Sequence, residues 1–77
     1  MSLPVEKLSK AMQAYFRNRG NERSTQAELS RETNVSEATI MRIRYGMIKV
    51  VSLETWLKLY RYAPDEFPSP AVVMPNN

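Results

Sequence analysis

The sequence predicts an all-α fold: a compact unit of four helices, five if a short last turn is counted, followed by an extended C-terminal tail. Three observations predict it. Apolar residues recur at spacings of three and four over two stretches, residues 5–19 and 52–63. Between them, residues 26–45 split at Asn34 into two shorter amphipathic segments. Helix-stopping residues then fall where each segment ends: Gly20, Asn34, Gly46 and Pro64.

The first helix spans residues 5–19. Val5, Leu8, Ala11, Met12, Tyr15 and Phe16 share one face, a Met and aromatic stripe of the kind that forms a core. Pro4 suits a first helical turn, and Glu6, Arg17 and Arg19 sit at the ends that suit the helix dipole. Arg17, Arg19 and Arg31 read as ordinary solvated charges. Residues 21–24 form a polar connection. Ser24 or Thr25 can cap the second helix, with Glu28 at the capping-box position for Thr25.

That helix runs to about Thr33, where Asn34 supplies a residue that accepts a left-handed backbone at low cost. Ser36 can cap the third helix, residues 37–45, through its hydroxyl. Two short helices crossing steeply at such a joint make a helix-turn-helix, whose second member enters the DNA major groove. Residues 47–51 are an apolar loop or a short extended piece. The β-branched Ile48, Val50 and Val51 leave a strand open.

Ser52 begins the last helix, which carries Leu53, Trp56, Leu57, Tyr60 and Ala63 on one side, widened by Leu59. Pro64 ends it. In residues 65–77, Pro68, Pro70 and Pro75 preclude a long helix, so the domain is expected at 1–64 with a tail beyond it. A core of Leu8, Met12, Phe16, Leu29, Val35, Ile40, Ile43, Trp56, Leu57 and Tyr60 leaves Val50, Val51, Phe67, Val72 and Val73 exposed. A patch of that kind calls for a use. The tail is therefore expected to be a dimer arm or a linker, with residues 47–51 and the last helix as the other candidate dimer contact.

Seventy-seven residues suffice for one small domain. With 43% hydrophobic and 25% charged residues the chain reads as globular rather than disordered. There is no cysteine to form a disulfide, and no apolar run approaches the roughly 20 residues of a membrane span. A cytoplasmic location is the expectation. The net charge of +3 is unevenly spread. Residues 1–51 hold nine Lys/Arg against five Asp/Glu, and residues 52–77 two against three, so the positive field lies with the two-helix motif.

Without histidine or cysteine the usual metal and nucleophilic constellations cannot form, and two glycines cannot make a phosphate loop. No cofactor and no small-molecule ligand is expected. The chain reads as a binding protein and not an enzyme. A face count on the third helix turns Ile40 and Ile43 inward. Glu37, Ala38, Met41, Arg42 and Tyr45 then lie opposite, as candidates for base contact. Arg23, Gln26, Ser36, Thr39, Arg44 and Lys49 flank them as candidates for phosphate contact. The plainer alternative is that Glu37, Arg42 and Arg44 only complement the helix dipole.

The run TQAELSRETNVSEATIMRI, followed by Gly46 and SLETWLKL, resembles the lambda-repressor/Cro-like family of phage and bacterial regulators over roughly residues 5–63. Gln26, Leu29, Val35, Ile40 and Ile43 match its first-helix glutamine and packing positions. Ser30 stands where that family usually has alanine, Asn34 where it has glycine, and Thr33 where it often buries an aliphatic group. The resemblance implies a transcriptional regulator binding a pseudo-palindromic operator in double-stranded DNA as a homodimer. Under it, Glu37, Ala38 and Arg42 hold the positions that most often touch bases. The alternative from another class is an antitoxin-like or regulator-modulating helical domain whose partner is protein.

Overall fold

The computed structural model describes residues 1–75. Four helices carry the fold: α1 (Glu6–Arg19), α2 (Glu22–Thr33), α3 (Glu37–Arg44) and α4 (Leu53–Tyr62). The expectation of an all-α chain needs one correction. Strands β1 (Ser2–Pro4) and β2 (Val50–Ser52) form a two-stranded antiparallel sheet that ties the N-terminus to the entry of α4. Pro4 therefore lies in a strand, not in a first helical turn. The ladder hydrogen bonds flank it, Leu53 N donating to Met1 O and Val5 N to Lys49 O. Pro4 falls on the alternate register opposite Val50, where β2 needs no N–H from it. Leu3 and Val51, paired across the ladder, both point into the core.

The helix ends follow local chemistry. Gly20 closes α1 in the left-handed region, φ 79°, and donates its N–H to Phe16 O. Helix α2 begins earlier than a Ser24 or Thr25 cap would have it. Asn21 is the cap, its side chain accepting from Ser24 N at 3.0 Å, and Thr25 lies buried within the helix. An asparagine caps as well as a serine, and starting there adds a turn whose first residue is Glu22. Ser36 and Ser52 cap α3 and α4 as expected, accepting from Thr39 N and Thr55 N at 3.1 Å.

One core runs through the whole chain. Leu8, Met12, Leu29, Ile40, Ile43, Trp56 and Leu59 are fully buried, and Tyr15, Phe16, Val35 and Phe67 nearly so. The face of α4 is rotated from expectation. Leu59 is buried with Trp56, whereas Leu57 and Tyr60 are only half-buried.

The larger correction concerns the tail. It is no free arm: Phe67 is 1% exposed and stacks on Tyr15 with ring centroids 5.1 Å apart. After α4 the chain reverses, Glu66 N and Phe67 N both donating to Ala63 O. The Trp56 indole N–H donates to Pro68 O at 2.7 Å. A 3-10 turn at Pro70–Val73 follows, with Pro70 buried and Val73 and Met74 packed on the core. The prolines forbid a long helix, as expected, but they fold the tail back instead of extending it. Of the residues expected to be exposed, Val51 and Phe67 are buried, Val73 is half-buried, and Val50 and Val72 alone stay exposed. Residues 76–77 of the expected tail lie outside the described residues.

Arg19 is likewise not an ordinary solvated charge. Its guanidinium donates to both Glu66 carboxylate oxygens, at 2.8 and 2.6 Å, and lies 3.5 Å from the Tyr15 ring centroid. That forked geometry pins the tail over Tyr15. Burial pushes the Tyr15 hydroxyl up to about 12.

Two outcomes test this arrangement. Phe67→Ala should cost about 3–5 kcal/mol, a large share of so small a domain's stability. A thermal melt matching wild type would place Phe67 outside the core. The second concerns acid. The Arg19 hydrogen bonds hold the Glu66 carboxyl below its ordinary 4.5. The pair's stabilisation is thus complete above that ordinary value and fades as pH falls through the lower native one. Urea midpoints of wild type and Glu66→Gln should therefore differ at neutral pH and converge in acid, once the pH has fallen below the lowered native value. Curves that stay parallel throughout would remove the ion pair from the stability of the fold.

Candidate nucleic-acid interface

Helices α2 and α3 meet through three residues. Asn34 takes the left-handed conformation, φ 59° and ψ 29°, and donates its N–H to Ser30 O at 2.9 Å. It is the non-glycine residue with positive φ among those described. Thr33, polar and buried, is satisfied twice: its hydroxyl donates to Leu29 O at 2.6 Å and accepts from Val35 N at 3.2 Å. The hydroxyl thus serves the joint itself, which an aliphatic side chain could not do.

Helix α3 has only eight residues, so its position depends on neighbours. Ile40 and Ile43 are fully buried, as the face count expects. At its C-terminal end the Ser9 hydroxyl, on α1, donates to Ile43 O, and Gln13 Nε2 donates to Arg44 O at 3.1 Å. Neither Ser9 nor Gln13 stood out in the sequence. Their role depends on where α1 crosses α3, and no local pattern reports that.

The five base-contact candidates, Glu37, Ala38, Met41, Arg42 and Tyr45, are all exposed. Met41 at 38% and Tyr45 at 52% exposure are large apolar groups turned to solvent. Two side-chain bridges run from α2 to this helix. Gln26 Nε2 donates to Glu37 Oε1 at 3.0 Å. Arg44 Nη1 and the Tyr45 hydroxyl both donate to Glu22 Oε1, at 2.6 and 2.7 Å. Between the bridges Glu22, Arg23, Gln26 and Met41 line a hollow of about 440 Å³.

The phosphate candidates separate into groups. Arg23 and Gln26 share that hollow. Ser36 and Thr39 are engaged with each other at the helix cap, Ser36 Oγ donating to Thr39 Oγ1 at 2.9 Å. Arg44 is half-buried and committed: it stacks 4.3 Å from the Phe16 centroid and 4.8 Å from that of Tyr45 while pairing with Glu22. Lys49 is exposed, and no hydrogen bond or shared hollow joins its side chain to the others among the described residues. Glu22 is the residue that sequence reasoning missed. The Tyr45 and Arg44 hydrogen bonds hold its carboxyl below the ordinary range, and the same bond raises the Tyr45 hydroxyl.

Among the described residues no helix is long and apolar enough to cross a membrane. Compared with family models, with curated proteins and with solved structures, the chain finds no match.

Proposed function

We propose that the chain is a sequence-specific regulator of transcription that binds double-stranded DNA, with α2 and α3 as a helix-turn-helix and α3 as the reading helix. The observation that carries this is the division of α3 into two faces. Ile40 and Ile43 are sealed in the core, while Glu37, Ala38, Met41, Arg42 and Tyr45 stand exposed together. A helix serving only the core has no need for an outward Met41 beside Arg42, which makes no salt bridge among the described residues. The exposed set suits base edges. Arginine can donate twice to guanine O6 and N7, glutamate can accept from cytosine N4, and alanine can meet a thymine methyl.

A single eight-residue helix reads few base pairs, so the economical assembly is a twofold dimer on a pseudo-palindrome. With the tail folded onto its own core, the contact falls to β2. Its strand partner among the described residues is β1 alone, leaving one edge open. Val50 at 54% and Met47 at 69% exposure lie beside that edge. Strand addition across the edge would pair the two copies.

Arg42→Ala should relax base preference at one position per half-site and cost roughly 1–3 kcal/mol per lost bidentate contact. Selection of bound sequences from random duplex DNA, followed by titration, reads both. Wild-type binding should also weaken steeply with salt, by about 0.9 in log affinity per log salt for each phosphate neutralised. A variant keeping affinity and preference removes Arg42 from the reading face. Binding indifferent to salt points to a protein partner instead. For the dimer, Val50→Asp should shift the sedimentation equilibrium to monomer. An unchanged distribution would sink the β2 contact.

A further inference from the structure

We propose that Glu22 is an internal stand-in for a DNA phosphate: it occupies an oxygen seat made by Arg44 and Tyr45, and gives it up when the duplex docks. The inference rests on the DNA-binding reading of α3 and adds a residue that tunes its affinity.

The two sides of the contact are unequally fixed. Arg44 is held without Glu22. Its guanidinium lies over the Phe16 ring and over the Tyr45 ring, and its side chain is 19% exposed. Its carbonyl accepts from Gln13 Nε2. Glu22, by contrast, is 58% exposed and reaches the seat from the first turn of α2. The Arg44 donor is preorganised, while the Glu22 acceptor and the exposed Tyr45 beside it are looser.

The acceptor also uses its charge in a particular way. One oxygen, Oε1, receives both bonds, 2.6 Å from Arg44 and 2.7 Å from Tyr45. A non-bridging phosphate oxygen offers the same thing, one anionic acceptor for two converging donors. Exposed ion pairs of this kind are weak, so exchange is cheap, while a phosphate contact also releases counterions.

The surroundings favour an anion once the carboxylate leaves. Glu22 lines the hollow it shares with Arg23, Gln26 and Met41 and also a second one, of about 570 Å³, beside Phe16 and Arg17; the other charged residues lining the two are Arg17, Arg23 and Arg44. Among the described residues no second acid lines either one, and the Glu37 carboxylate is already taken up by Gln26 at 3.0 Å. A phosphate contact carries no sequence information. The masking therefore lowers affinity for every duplex alike and leaves base preference untouched.

The plainer role for Glu22 is a clamp that complements the α2 dipole and fixes α2 to α3. Glu22→Gln separates the two. It should bind operator and random duplexes alike two- to fivefold tighter, roughly the factor carried by an exposed ion pair. It should also gain a rise in melting temperature in inorganic phosphate over chloride at matched ionic strength, and Arg44→Met in the same background should abolish that gain. A Glu22→Gln protein that melts lower, with no gain in phosphate response or DNA affinity, overturns the proposal and leaves the clamp. A gain with phosphate but no duplex binding by either protein would uphold the anion seat and overturn the DNA reading of α3 instead.

Discussion

Helix α3 is two turns long and could not persist alone. Everything proposed for this protein depends on how it is held from behind. Ile40 and Ile43 sink into the core, and Ser9 and Gln13 of α1 take the carbonyls at its C-terminal end. Those hydrogen bonds satisfy groups that a helix terminus otherwise leaves to water. Ser36 does the same at the other end. Glu37 and Tyr45 at the two ends of the outer side are bridged to α2, and between them Ala38, Met41 and Arg42 make no side-chain hydrogen bond among the described residues. The fold thereby presents a rigid rod of exposed side chains on a scaffold of 77 residues.

The polar groups beside that rod are largely engaged with one another in the free chain. Gln26 engages Glu37, and Glu22 engages Arg44 and Tyr45. Arg42 and Arg23 remain exposed and make no salt bridge among the described residues. With Glu22 neutralising Arg44, the long-range attraction beside α3 rests on Arg23 and Arg42.

What the sequence showed plainly was whatever is encoded within a few residues. The Ser36 and Ser52 caps, the Gly20 stop, the left-handed Asn34 and the inward turn of Ile40 and Ile43 are all local, and all hold. The strand that residues 47–51 left open is present, but its partner lies in the first four residues, beyond any local pattern. Long-range pairings stayed hidden for the same reason. Arg19 with Glu66 and Glu22 with Arg44 each join residues that only the tertiary fold brings near. The tail was misjudged because a proline-rich stretch can extend or fold back, and the choice rests on a surface elsewhere, here Tyr15 and Trp56. Leu57 and Leu59 lie two apart on the same helix and so on nearly opposite sides of it, and the long-range packing buries Leu59.

The folded-back tail has a consequence for how the protein is made. Phe67 covers Tyr15 across a long span of chain, and Arg19 meets Glu66 at a separation of 47 residues. Synthesis runs from the N-terminus, so α3 emerges from the ribosome well before the segment that seals the core beneath it. Until Phe67 has cleared the exit tunnel, the nascent polypeptide lacks its aromatic cover and its last ion pair. Long-range closure of this kind is slow compared with helix formation. The growing chain is thus held short of its working form until the segment around Phe67 has emerged, and a product that stops before it would lack a completed interior.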